Sequence, residues 1–102
     1  MGDRKVLRTY DNSSSSVNTA IVLDARVNYA LRLYDASIKE DELDREVQIG
    51  FRDNLKQLKR LEDRLAVYNL LRTKALVYDI IGYNAERDHH LEAALYFMVH
   101  FI

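Results

Sequence analysis

A chain of 102 residues with 30% charged residues and a formal charge of −1 is one domain at most, and its overall charge draws it neither to nucleic acid nor to an anionic membrane. The absence of Cys excludes a disulfide framework and a thiolate metal site. Pro is also absent and Gly occurs only three times, whereas a β-rich fold needs turn residues about every 8–12 positions. The expected fold is therefore all-α. It is read as a helical hairpin or bundle of three helices with a long central one, or four if that helix breaks near Asn69 to Thr73, preceded by an irregular N-terminal arm.

The arm is expected over residues 1–15, ahead of a single helical domain over 16–102. Its first residues, Met1-Gly2-Asp3-Arg4-Lys5-Val6, carry no apolar core of the kind a secretory signal needs. A myristoylated Gly2 would require Ser or Thr where Val6 stands. The expected location is thus inside the cell, soluble or within a larger complex, and the Asn12-Ser13-Ser14 acceptor pattern carries little weight there. The serine run Ser13 to Ser16 is suited to capping the helix after it.

Helix 1 is expected from about Ser16 to Ala36. Ala20, Leu23, Val27, Ala30, Leu31 and Tyr34 form its apolar stripe, with Asn18, Asn28, Arg32 and Asp35 opposite. Ser37-Ile38-Lys39-Glu40 then reads as a capping box, followed by acidic residues that favour a helix N-terminus. Beyond it, Leu43, Val47, Phe51, Leu55, Leu58, Leu61, Leu65 and Tyr68 step by threes and fours. One helix from Ile38 to Tyr83 would measure about 69 Å at 1.5 Å per residue, against a radius of gyration of about 13 Å for a compact domain of this size. Either it breaks or other chains cover it.

The last helix is expected to start near Asn84, after Gly82 ends its predecessor. Leu91, Ala94, Leu95, Met98, Phe101 and Ile102 form its expected inner stripe, yet Tyr96, Phe97 and Val99 make it apolar on other sides too. The same holds between Leu65 and Ile81. A helix hydrophobic nearly all round is covered from several directions, and a chain this short lacks the surface to do so alone. Leu70, Leu71, Tyr78, Ile81, Tyr96, Phe97, Phe101 and Ile102 are therefore the candidate interface residues, with protein, either self or another subunit, as the expected partner.

Chemistry is sparsely encoded. Glu86-Arg87-Asp88-His89 has the Glu-x-x-His spacing of carboxylate-bridged metal bundles, so Glu86 and His89 are a weak metal-ligand pair. A ferritin-like bundle would need dimerisation to double the motif and carboxylates such as Glu46 or Glu62. Adjacent His89 and His90 point about 100° apart and are not expected to share an ion, and His100 reads as an interface histidine. No cofactor is expected. Arg52, Lys56, Lys59, Arg60 and Arg64 make a basic ridge, but acids flank it and no aromatic residue on that face offers a stacking platform. Nucleic acid is disfavoured for that reason, and a membrane span is disfavoured because Arg72, Lys74 and Asp79 interrupt the apolar run. No nucleophile-base pair or phosphate-cradling loop is visible, so the chain reads as a non-enzymatic structural or adaptor subunit that assembles through its apolar C-terminal half.

Overall fold

The computed structural model describes the backbone of residues 2–39 and 45–102 and the side chains of 19–38 and 45–102. Among the described residues there are four helices: α1 Gly2–Lys39, α2 Arg45–Lys56, α3 Leu61–Ile80 and α4 Asn84–Phe101. Among the described residues there is no strand, and no helix is long and apolar enough to cross a membrane.

Helix α1 starts at Gly2, so the residues expected to form an irregular arm continue the helix. No Pro and no second Gly stands between Gly2 and Lys39, and each Ser costs only about half a kcal/mol against Ala. At 38 residues, α1 should be about 57 Å long, which accounts for the 59 Å long axis of the molecule. The capping box at Ser37 does not form as expected. Ser37 lies in the last turn of α1, where its hydroxyl donates to the Tyr34 carbonyl at 2.6 Å. Its proposed partner Glu40 lies outside the described residues.

The long central helix does break, but over residues 57–60 and not at Asn69 to Thr73. The Gln57 N–H is shared between the Asp53 and Asn54 carbonyls, and Leu58 bonds back to Leu55 at 3.1 Å. This tightening of the last turn drops Leu58 into the core at 2% exposure. Arg60 is extended (φ −91°, ψ 133°), and Glu62 and Asp63 occupy the positive first turn of α3. At the expected break, Asn69, Arg72 and Thr73 simply face solvent. The Thr73 hydroxyl donates to the Asn69 carbonyl at 2.8 Å, as Ser and Thr do inside helices.

Gly82 does end α3. With φ at 85° it allows Tyr83 N–H to reach the Tyr78 carbonyl at 2.8 Å and Gly82 N–H to reach Asp79 at 3.2 Å. These two bonds define a Schellman closure. The rings of Tyr78 and Tyr83 stack across it at 6.3 Å, providing the apolar contact that accompanies this motif. Helix α4 then folds back antiparallel on α3.

The core gathers Val27, Ala30 and Leu33 from α1, Leu55 and Leu58 around the α2 end, Val67 and Leu71 from α3, and Ala93, Ala94, Phe97 and Phe101 from α4. Phe97 is fully buried and stacks on Phe101 at 5.0 Å, while the buried alanines let the helices approach closely. On α4 the inner stripe is thus His90, Ala93, Ala94, Phe97 and Phe101. Of the expected inner residues only Ala94 and Phe101 face inward; Leu91, Leu95, Met98 and Ile102 are exposed. Tyr29 stacks on Phe51 at 5.1 Å, joining α1 to α2, and the Arg32 guanidinium covers the same ring.

Two glycines should respond in opposite directions. Gly82→Ala forces a Cβ into left-handed backbone and is expected to cost about 1 kcal/mol. Gly50→Ala sits on an exposed turn of α2 with open space around it and should gain up to about 1 kcal/mol. Chemical denaturation of the two variants beside the parent checks both signs.

Candidate functional site

Two places gather unusual side chains: the seam where the end of α1 crosses the start of α4, and the outer face of the α3–α4 hairpin. At the seam, Tyr34 and Asp35 of α1 reach across to α4. The Tyr34 hydroxyl donates to Glu92 Oε2 at 2.7 Å, and His89 Nε2 lies 2.6 Å from Asp35 Oδ1. Tyr34 also packs against the rings of His89 and Tyr96. The hydrogen bond to Glu92 raises the Tyr34 pKa, with burial and the charges of Glu92 and Asp35 adding to the effect.

His90 is the one buried polar residue among those described, at 5% exposure. Its Nδ1 lies 2.7 Å from the Glu86 carbonyl one turn back. A carbonyl only accepts, so Nδ1 carries the proton, and in the neutral form of the ring the lone pair is on Nε2. The same logic applied to the Asp35 carboxylate puts the lone pair of neutral His89 on Nδ1. Tyr78 and His89 pack around the His90 ring at 5.0 and 5.7 Å.

The expected pair Glu86 and His89 is therefore brought together, and His90 joins it. One potential ligand atom from each of the three lies within 4.8 Å of the others. The expectation that neighbouring histidines diverge too far fails because the His90 ring bends back onto its own helix, edge-on to His89 at an interplanar angle of 82°. Glu46 and Glu62 do not join. Glu46 is exposed in the first turn of α2, and Glu62 pairs with Arg60. Asp35, expected on the polar side of α1, was not read as a site residue, because its relation to His89 exists only once α1 crosses α4.

The basic ridge is divided by the chain break. Arg52 and Lys56 lie on α2, Lys59 and Arg60 in the connection, and Arg64 on α3. Arg64 turns inward, donating from Nε to the Leu58 carbonyl at 2.5 Å and from Nη1 to the Phe101 carbonyl at 2.9 Å. It serves the backbone and is not presented to a phosphate.

Of the candidate interface residues, Leu71, Phe97 and Phe101 are buried in this chain's own core; Leu70, Tyr78 and Tyr96 are half-buried, and Ile81 and Ile102 are exposed. His100 is exposed, with its ring 4.2 Å from that of Tyr96. The outward apolar surface is carried by other residues. Leu91, Leu95, Met98 and Ile102 run along α4 at 4-3-4 spacing, with Val99 beside them at 73% exposure. On α3, Leu61, Leu65, Leu76, Val77 and Ile80 are exposed, Ile80 at 75%. An open groove of about 820 Å³ runs between the two helices, with Leu76 on one wall and Leu91 on the other. Arg87 crosses it to Asp79 at 2.6 Å while also holding Asp88, and these hydrogen bonds raise its pKa further, keeping the guanidinium charged.

No protein-family model, curated protein or solved structure matches this chain.

The raised Tyr34 pKa sets a sign for alkaline stability. A group whose folded pKa lies above its unfolded value stabilises fully below the unfolded pKa, near 10 for Tyr. That contribution is lost as pH climbs through the folded pKa. Tyr34→Phe should thus be less stable than the parent at neutral pH, with the difference shrinking above about pH 10; urea melts across that range measure it.

Proposed function

We propose that the chain is a non-enzymatic helical assembly subunit that docks through the outer face of its α3–α4 hairpin, with a second copy of itself as the occupant. The observation that carries this reading is the stripe Leu91, Leu95, Met98 and Ile102, exposed along α4 while another side of the same helix fills the core. A 4-3-4 apolar spacing is the seam that packs helix against helix. Leu76 of α3 faces Leu91 across the groove beside it, and exposed apolar surface of that kind marks interaction sites on proteins.

The chain carries more surface than a compact one of its length. The chain exposes 7742 Å², whereas a compact monomer of this size exposes about 6,000 Å². The 38-residue α1 contributes to that excess. The chain's radius of gyration is 16.7 Å, against about 13 Å for a compact chain of 100 residues. A two-fold contact through the hairpin lets the same patch cover itself, the commonest arrangement among oligomers.

Sedimentation equilibrium at micromolar concentration should show a dimer or larger species. Leu95→Asp, at a site 56% exposed, should shift it to monomer with a change in folding stability of less than about 0.5 kcal/mol. Phe97→Ala should instead cost about 3–5 kcal/mol. A monodisperse, soluble parent monomer whose behaviour Leu95→Asp leaves unchanged overturns the reading.

A further inference from the structure

We propose that Glu86, His89 and His90 form a binding site for one borderline divalent cation, Zn²⁺ by its chemistry, with Asp35 of α1 as the positioning residue that orients His89. The site lies on the α1–α4 seam and is independent of the proposed docking face.

Three features of the geometry carry the assignment. The ligand atoms converge within 4.8 Å, whereas a tetrahedral ion with bonds of about 2.0–2.1 Å holds its ligands roughly 3.3 Å apart. The remaining closure, about 1.5 Å, falls to side-chain rotation, for which exposed Glu86 has room. Each imidazole also commits one nitrogen to a fixed acceptor: His89 to Asp35 at 2.6 Å and His90 to the Glu86 carbonyl at 2.7 Å. That is how ligating histidines are held, with the tautomer set and the second lone pair left for metal. Finally, His90 is nearly buried, yet no buried side-chain nitrogen or oxygen among the described residues lacks a hydrogen-bond partner. Its polar presence in an otherwise apolar stripe is therefore satisfied without closing off the ring.

Two imidazoles and a carboxylate favour Zn²⁺ and its neighbours over Mg²⁺ or Ca²⁺, which prefer all-oxygen shells. Three protein ligands leave a tetrahedral ion one further position. Because Glu86 is exposed, that position would be open to water.

The test is titration of the full chain with Co²⁺, followed by its visible ligand-field bands, and then displacement by Zn²⁺. One Co²⁺ per chain, released by one equivalent of Zn²⁺, is the expected result. His89→Gln and Glu86→Gln should each abolish the stoichiometric site, and His100→Gln should leave it within twofold. Asp35→Asn, with helix content unchanged by circular dichroism, should weaken Co²⁺ binding about 10–100-fold, the usual effect of losing such an outer partner. Absence of stoichiometric binding in the parent overturns the proposal, as does binding that survives both His89→Gln and Glu86→Gln or falls equally in His100→Gln. Unchanged affinity in Asp35→Asn overturns the role given to Asp35.

Discussion

The architecture turns on the guanidinium of Arg64, which donates to the carbonyls of Leu58 and Phe101. Leu58 belongs to the connection that separates α2 from α3, and Phe101 closes α4. A charged donor satisfies a carbonyl that the helix end of α4 leaves without an internal partner, at the end of the dipole that favours positive charge. The same side chain holds the connection in the shape that lets Leu58 enter the core. Together with the Gly82 turn at the opposite end, it pins the hairpin at both extremities. The side chains between those pins are left with one alignment, in which Phe97 and Phe101 point toward α1.

Where a residue's chemistry is local, its role was legible in the sequence. Gly82 and Asn84 marked the α3–α4 turn because a left-handed position has few occupants other than Gly. The all-α class came from missing turn residues. The α1 stripe was largely legible as well, since Val27, Ala30 and Tyr34 stand out against polar neighbours; Leu33, fully buried, lies just off the stripe as drawn. What failed were inferences that depend on tertiary competition. Gln57-Leu58-Lys59-Arg60 contains no helix breaker, so its break depends on the pull of the core on Leu58 and on Arg64, neither of which has a local signature. The sign change from Lys56 to Glu62 and Asp63 was the available clue. Ser37 showed the reverse problem: a start signal that is satisfied just as well inside the last turn of a helix.

Helix α4 posed the hardest problem, because two different stripes fit its sequence. Leu91, Leu95, Met98 and Ile102 satisfy helical spacing as well as His90, Ala93, Ala94, Phe97 and Phe101 do. The histidine made the second set look polar, yet a satisfied imidazole is compatible with burial, and the small alanines allow the close approach that the larger side chains would prevent. The seam with α1 was illegible for a related reason. Tyr34, Asp35, His89 and Glu92 lie far apart in sequence and acquire their relations only through the crossing of two helices.

The outward face of the hairpin has a consequence for selectivity. Discrimination between partners usually depends on repulsive elements, charges or buried polar groups that penalise the wrong match. Leu95, Met98, Val99 and Ile102 carry none themselves, and the charges at the Leu91 end of the face, Arg87, Asp79 and Asp88, pair with one another. Of the two cations that line the groove, Arg72 lies over the Tyr68 ring of its own chain and Arg87 is paired with Asp79 and Asp88. Met98 adds a side chain that adapts to many shapes. As the docking face proposed above, such a surface would sort its neighbours by contour and by how often it meets them, and encounter frequency would weigh more than electrostatic code in what it holds.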